Sequence, residues 1–132
     1  MLSFFKSRWQ SIRIAFEGVV FLFRTQKNAW VHASITIFVV LLGLLVRLNR
    51  SEWVLILLTM GVVWAAESFN TAMEVLVDFV SPEQQPMAKI CKDVSAAGVL
   101  ITAGISVLVG LLIFLPPIWR WLSLYIPWIT YP

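Results

Sequence analysis

The stretch WVLILLTMGVVWAAESFNTAMEVLVDF, residues 53–79, decides how this chain folds. Its first half, residues 53–66, is apolar apart from Thr59, as expected for a helix inside a membrane. Its second half carries four polar groups, which we call the polar stripe: Glu67, Asn70, Glu74 and Asp78. The spacing of these groups favours one continuous helix through both halves, so the stretch predicts a membrane span that extends into a polar segment.

The composition of the chain supports a membrane protein. Its 132 residues allow one compact domain, and 60% of them are hydrophobic while only 13% are charged. In an average soluble domain about 45–50% of the residues are hydrophobic and about 25% are charged. A soluble fold of this length could not bury so much apolar surface. The single cysteine, Cys91, excludes an internal disulfide and matches no metal motif. We therefore predict an all-α integral membrane protein.

Apolar periodicity and prolines divide the chain into three parts. Residues 1–27 place apolar and basic groups on opposite faces, which predicts an amphipathic helix at the membrane interface. Residues 28–118 form a core with three transmembrane helices, and residues 119–132 form an interfacial tail rich in Trp and Tyr. The three spans are predicted at 29–46, from about Trp53 to Val80, and from about Asp93 to Leu115.

Prolines and glycines refine these spans. Pro82 and Pro86 are expected to end the second span, and Pro116 and Pro117 to end the third. In the third span Gly104 and Gly110 are small enough to let helix backbones approach closely in lipid.

The distribution of Lys and Arg predicts the orientation. Seven of the ten basic residues lie in the N-terminal segment and the 81–92 turn, and three lie in the first turn and the tail. Because basic residues concentrate on the cytoplasmic side, we expect the N-terminus and the 81–92 turn inside and the C-terminus outside. We therefore expect a multi-pass protein of a plasma membrane.

The polar stripe is the first candidate site. On a helix its four groups share an arc of about 80°. A helix leaving the bilayer with its polar face in water would explain Asp78 and, less well, Glu74. It explains Glu67 poorly, because that residue directly follows apolar membrane sequence. A charge at membrane depth costs at least ~2.5 kcal/mol, so such a group usually faces a protein interior or a wet cavity and has a function.

A second charged cluster, KICKDVSAAG at residues 89–98, begins the third span on the same predicted side of the membrane. Carboxylates bind Mg²⁺ and prefer to share it with phosphate oxygens, and Lys92 beside Asp93 supplies a cation for phosphates. With a carboxylate at the lipid boundary, these groups suit phosphoryl transfer to a lipid hydroxyl. No Gly-rich phosphate loop is present, so the sequence excludes kinases of the P-loop and protein-kinase types.

Two motifs carry a family resemblance. ESFNTAMEVLVD at residues 67–78, followed by KDVSAAGVL at residues 92–100, closely resembles the signature of the prokaryotic diacylglycerol kinase family, which includes the undecaprenol kinases. The resemblance extends from about residue 5 to residue 115. It implies a homotrimer with active sites shared between subunits, and transfer of the ATP γ-phosphate to the hydroxyl of a membrane lipid.

The resemblance also implies roles for individual residues. Glu67 matches the general base, and Glu74 matches a ligand of the Mg²⁺ bound to ATP. Nucleotide-binding positions fall on Lys92, Asp93, Glu83, Gln84 and Gln85. Asn70 and Asp78 belong to the same site, with Asn70 as a supporting or substrate-binding residue and Asp78 on the nucleotide side.

One position departs from the family pattern. The second magnesium ligand of the family, a glutamate before the first span, falls on Gln26, whose amide oxygen brings no negative charge. The metal would then be held more weakly, or another carboxylate such as Glu17 would help. QKNAWVH at residues 26–32 resembles the undecaprenol kinase branch at Asn28 and His32, which favours undecaprenol slightly over diacylglycerol.

Two other functions stay open at this point. An ion-conducting oligomer would need a polar path through the full membrane depth, and residues 54–66 are apolar apart from Thr59. A non-catalytic membrane adaptor would leave Glu67 and the Lys92–Asp93 pair unexplained. Nucleic-acid binding finds no support, because the basic residues are sparse and lie near the predicted bilayer surface.

Overall fold

Four α-helices make up the described chain, residues 2–83 and 85–125, with side chains described for 6–83 and 85–123 in a computed structural model. The helices are α1 (Leu2–Thr25), α2 (Lys27–Leu45), α3 (Arg50–Val80) and α4 (Pro86–Tyr125), and the described part contains no strand. Helices α2, α3 and α4 are each long and apolar enough to cross a membrane. The expectation of an all-α fold is therefore confirmed for the described residues, and three of its helices have the length and apolarity of the three expected spans. Gln84 and residues 126–132 lie outside the described residues.

The chain divides into two compact units, one up to Ser34 and one from Ile35 onward. In the first unit, α1 and α2 are separated only by Gln26, whose backbone N–H still donates to the Leu22 carbonyl at 2.9 Å. The Phe23 and Trp30 rings pack edge to face with centroids 5.2 Å apart, and the Trp30 indole N–H donates to the Phe23 carbonyl at 3.0 Å. These contacts join the end of α1 to the start of α2. The interfacial position of residues 1–27, and the division at residues 27 and 118, stay predictions.

In the second unit, α3 and α4 pack as an antiparallel pair. Lys92 on α4 meets Asp78 on α3 at one end, and Ser106 Oγ lies 3.4 Å from the Thr59 carbonyl near the middle. At the other end the buried cluster Leu48, Ile56, Ile113 and Phe114 joins the two helices to the α2–α3 turn. The five-residue connection between α3 and α4 is short enough to allow only an antiparallel arrangement. This arrangement decides which side chains of the two helices meet.

The start of α3 lies three residues earlier than the sequence suggested. Asn49 caps the helix, because its Oδ1 accepts the backbone N–H groups of Ser51 at 2.9 Å and Glu52 at 3.0 Å. Glu52 Oε2 in turn accepts the Asn49 backbone N–H at 2.8 Å, completing a capping box. This box, N-x-x-E in the turn RLNRSE, extends α3 back to Arg50. The end of α3 at Val80 agrees with the prediction.

Both predicted boundaries of the third span are wrong. Helix α4 begins at Pro86 rather than near Asp93, because proline suits the first helical position, where no backbone N–H is needed. It also continues through Pro116 and Pro117 to Tyr125. Ile113 and Phe114 before the prolines, and Ile118 after them, pack in the same apolar cluster. This packing on both sides of the prolines offsets the two backbone hydrogen bonds that the prolines cannot make.

Gly43 is the glycine at which a neighbouring helix makes a close contact. A Cβ at this position would lie 2.9 Å from the Trp53 ring, whereas a Cβ at Gly104 or Gly110 would meet nothing within 4 Å. The expectation that Gly104 and Gly110 permit close packing therefore does not hold within the chain. Gly43 instead lets the Trp53 ring of α3 lie against α2, at the edge of the buried cluster.

Candidate active site

The polar stripe on α3 changes from fully buried to exposed along the helix. Glu67 is 1% exposed, and both of its carboxylate oxygens are shielded from solvent. Asn70 is also buried, Glu74 is half-buried, and the Asp78 side chain is 67% exposed. Helical periodicity explains why the four groups share a face, and the packing of the chain places Glu67 in a protein interior. The stripe therefore joins a dry end at Glu67 to a wet end at Asp78.

Asn70 links the two helices of the pair. Its Nδ2 donates to Glu74 Oε1 at 3.0 Å, and its Oδ1 lies 2.7 Å from the hydroxyl of Ser95 on α4. A carboxylate only accepts, so the amide nitrogen must face Glu74, and the amide oxygen then faces the Ser95 donor. The Ser95 hydroxyl also lies 2.9 Å from the Lys92 carbonyl of its own helix. Ser95 and Asn70 thus hold the Glu74 carboxylate in a defined position.

Lys92 lies at the wet end of the stripe, where it forms an ion pair with Asp78. Its Nζ lies 2.6 Å from Asp78 Oδ1, and both side chains keep contact with solvent. The two residues line a cleft of about 590 Å³ between the end of α3 and the start of α4. Gln85 and Lys89 line the same cleft. A cleft of this size, carrying two lysines and one carboxylate, is suited to a small polyanionic ligand.

Asp93 and Glu83, two other predicted nucleotide-binding residues, do not line the cleft, whereas Gln85 does. Asp93 is exposed and pairs with Lys89 at 3.6 Å, one helical turn away on α4. Glu83 lies in the connection, where its carbonyl accepts the Ser81 hydroxyl at 2.9 Å and the Gln85 backbone N–H at 2.7 Å. Gln84 lies outside the described residues. The roles of Asp93, Glu83 and Gln85 in binding nucleotide stay predictions.

Gln26 and Asn28 belong to the first unit, at the junction of α1 and α2. Gln26 is the residue between the two helices and is half-buried, and Asn28 is exposed in the first turn of α2. The roles of Gln26 as a metal ligand and of Asn28 as a site residue stay predictions.

The oxygens of the stripe suit a magnesium ion shared with a nucleotide. Among the described residues no group of three or more His, Cys, Asp or Glu side chains is close enough to hold a metal. Magnesium does not require such a group, because it commonly binds through one or two carboxylates while phosphates and waters supply the other ligands. Glu74, a half-buried carboxylate oriented by Asn70, is a donor of this kind. The donor set therefore fits Mg²⁺ bound to a nucleotide.

Comparison with known proteins assigns the family. The model of the prokaryotic diacylglycerol kinase family matches residues 13–114, which include α2, α3 and the polar stripe. The chain belongs to the prokaryotic diacylglycerol kinase family. The matched region also contains the Ser95–Asn70–Glu74 contacts and the Lys92–Asp78 pair, so the residues described above lie within the part that defines the family.

Two curated members of the family are similar over most of this chain. An undecaprenol kinase of Bacillus subtilis (strain 168) is 42% identical over 93 residues, which are 70% of this chain and 76% of that protein. A diacylglycerol kinase of Synechocystis sp. (strain ATCC 27184 / PCC 6803 / Kazusa) is 35% identical over 121 residues, 86% of this chain and 69% of that protein. No solved structure matches the chain with significant similarity.

Sequence reasoning missed two residues of this candidate site, Ser95 and Lys89. Ser95 follows Lys92 by three residues, so a helix places the two on the same side, and this spacing was the available signal. Its partner on α3 was not visible in the sequence. The sequence places Lys89 only in the predicted cytoplasmic turn, whereas the early start of α4 at Pro86 puts it on the helix that lines the cleft.

Proposed function

We propose that this protein is an ATP-dependent kinase of a membrane lipid alcohol, forming undecaprenyl phosphate or phosphatidic acid. The observation that carries the proposal is the order of charged groups along α3, from the buried Glu67 through the oriented Glu74 to the Asp78–Lys92 pair at the cleft. A lipid hydroxyl belongs at the dry end and a nucleotide at the wet end. The names of the two similar family members, an undecaprenol kinase and a diacylglycerol kinase, support the same reaction class.

Glu67 is the general base of the proposed reaction. It accepts the proton of the lipid hydroxyl while that oxygen forms a bond to the γ-phosphorus. The bond between this phosphorus and the β,γ-bridging oxygen breaks, and ADP leaves. Because water hardly reaches the Glu67 oxygens, transfer of the phosphate to water instead of lipid is suppressed. The acceptor reaches this carboxylate only when it displaces the side chains that cover it.

The nucleotide is held at the wet end of the stripe. Lys92 and Lys89 at the cleft supply positive charge for phosphate oxygens. Bound Mg²⁺ would neutralise charge that develops on the transferred phosphate, and Glu74 would hold it, with Gln26 as the further ligand. Asp78 keeps the Lys92 ammonium at the cleft through their 2.6 Å ion pair. Asp93, Glu83, Gln84 and Gln85 complete the proposed nucleotide site.

The proposed acceptor is undecaprenol, with diacylglycerol as the second candidate. Asn28 and His32 support this choice, as does the higher identity to the undecaprenol kinase. We further propose a homotrimer in a bacterial plasma membrane, with the N-terminus and the active site in the cytoplasm. The many large apolar side chains exposed on α2 and α4 are consistent with surroundings of lipid or other subunits.

Phosphate transfer in detergent micelles tests the proposed function. The purified protein would receive radiolabelled ATP and Mg²⁺ with undecaprenol or dioleoylglycerol in separate reactions, and the extracted lipid would be counted. We expect label in the lipid fraction, with the higher kcat/KM for undecaprenol, and no lipid-soluble label without added lipid. Folded protein that labels neither lipid would contradict the kinase and favour a non-catalytic adaptor.

The Ser95→Ala variant is expected to lower kcat/KM for ATP by roughly twofold to tenfold. The loss of one hydrogen bond between the helices costs about 0.5–1.5 kcal/mol, and 1.4 kcal/mol corresponds to a factor of ten. Asn70 would then be free to rotate, and Glu74 would lose part of its orientation. Steady-state kinetics at varied ATP, with Mg²⁺ in constant excess, would measure the change.

Ser106→Ala is the matched control, because Ser106 lies on the same helix and its hydroxyl reaches only a backbone carbonyl of α3, at 3.4 Å. It should leave kcat/KM unchanged. Ser95→Thr, which retains a hydroxyl, should recover most of the activity. Equal losses in the Ser95→Ala and Ser106→Ala variants would show that packing, and not the orientation of Asn70, matters at Ser95.

A further inference from the structure

A second pocket lies at the end of the α3–α4 pair opposite the polar stripe. It has a volume of about 490 Å³ and lies between the α2–α3 turn and the part of α4 around its two prolines. We call it the arginine pocket, and its lining includes Arg47, Asn49, Glu52, Ile113, Pro117 and Arg120. Glu52 and Asp78 are 26 residues apart on α3, which corresponds to about 39 Å along the helix. The arginine pocket is therefore separate from the candidate active site.

The arginine pocket carries an excess of positive charge. All seven Asp and Glu side chains of the chain lie in the described part, and neither Arg47 nor Arg120 forms an ion pair with any of them. Among the described residues Glu52 is the one carboxylate that lines the pocket, and its Oε2 accepts the Asn49 backbone N–H at 2.8 Å. Among the described residues, the two arginines of this pocket therefore have no carboxylate partner and can bind an anion.

Arg47 adopts a backbone conformation that an arginine rarely takes. Its φ is 56°, in the left-handed region. The backbone N–H of Leu48 donates to the Gly43 carbonyl at 3.0 Å, and that of Arg47 to the Leu44 carbonyl at 3.3 Å. These are the two bonds of a Schellman motif, in which the left-handed position is usually a glycine. The chain thus keeps an arginine where glycine would be less strained, and strain of this kind is concentrated at ligand sites.

The remaining walls of the pocket indicate the ligand. Guanidinium groups match the oxygens of a phosphate with paired hydrogen bonds. Ile113 is buried beneath the pocket and Pro117 lines it, so an apolar surface lies beside the two cations. The pocket also lies at the end of three helices that can cross a membrane, where lipid headgroups are found. We propose that the arginine pocket binds the phosphate group of a phospholipid headgroup.

This proposal does not depend on the kinase activity, and its test measures stability. The full-length protein in dodecyl maltoside would be heated with increasing dioleoylphosphatidylglycerol, and native mass spectrometry would count the bound lipid. The comparison lipid is monogalactosyl dioleoylglycerol, which keeps the glycerol and acyl chains and lacks phosphate. We expect phosphatidylglycerol to raise the Tm and the galactolipid not to. Equal shifts with the two lipids would overturn the proposal.

The Arg47→Gly variant separates an effect on lipid affinity from an effect on the stability of the fold. It places the residue that a Schellman motif favours at this position, so the Tm without lipid should not fall. The apparent affinity for phosphatidylglycerol should fall about tenfold or more, as expected for loss of a charge-assisted hydrogen bond. Arg120→Gln, which leaves the α2–α3 turn unchanged, should show the same loss of affinity. Unchanged affinity in both variants would refute the assignment.

Two further controls test whether binding needs the pocket itself and whether the bound phosphate belongs to a lipid. Arg50→Gln removes a cation at the same end of α3 that does not line the pocket, and it should bind phosphatidylglycerol like the wild type. A similar loss of affinity in this variant would indicate a general attraction of surface charge and would overturn the pocket. Inorganic phosphate at millimolar concentration should leave the Tm unchanged. If it reproduces the full lipid shift, the pocket is a site for a soluble anion and not for a lipid headgroup.

Discussion

The Glu67→Gln variant is expected to lose phosphate transfer to lipid, with kcat reduced by about 10²–10⁴-fold, the range of general acid–base catalysis. Glutamine keeps the size of the side chain and removes its ability to accept the hydroxyl proton. The effect should appear in kcat and hardly in KM for ATP, because the nucleotide is expected at the Asp78–Lys92 end of the stripe. Labelling of extracted lipid at saturating ATP would measure it.

A second carboxylate on the same helix provides the control for this variant. Glu52→Gln changes α3 at its opposite end and keeps a side chain that can complete the capping box. It should retain wild-type kcat. Thermal unfolding should show that the Glu67→Gln variant is folded, since it replaces a buried carboxylate by a neutral amide of similar shape. A folded Glu67→Gln protein that keeps more than about a tenth of the activity would exclude Glu67 as the base, since this loss is below the usual range.

The Glu74→Gln variant is expected to raise the Mg²⁺ concentration needed for half-maximal activity by about tenfold or more. Removal of a group that only supports a metal ligand lowers metal affinity or activity about 10–100-fold. Glu74 is proposed as a ligand itself, so its replacement should have at least this effect. Its amide would still offer an oxygen, without the negative charge that Mg²⁺ prefers. Titration of activity with Mg²⁺ at fixed ATP would measure the shift, and excess metal should restore part of kcat.

Gln26→Glu is the complementary change, because it adds a carboxylate where the family resemblance places a second metal ligand. It should lower the half-maximal Mg²⁺ concentration if Gln26 takes part in the site. An unchanged Mg²⁺ dependence in Gln26→Glu would remove Gln26 from the metal site and leave Glu74 unaffected. An unchanged dependence in Glu74→Gln would contradict the metal assignment as a whole.

Most of the helical architecture was predictable because apolar length and helical periodicity are local properties. The run 53–66 and the spacing of Glu67, Asn70 and Glu74 predict one helix with one polar face, and α3 has this form. Helix ends were harder to predict. Pro86 begins α4, and Pro116 and Pro117 do not end it, because a proline acts on the helix according to its position and its packing.

The sequence by itself determined the class of the protein, the polar stripe and the family signature, since all three depend on residue types at fixed spacing along one segment. Only the tertiary structure decided which groups on different helices meet. The contacts of Ser95 with Asn70 and of Lys92 with Asp78 depend on how far α4 slides along α3, and the five-residue connection and the packed cluster at the far end set that register. The arginine pocket has the same origin, because Arg47 and Arg120 are 73 positions apart in the sequence and become neighbours through helix packing.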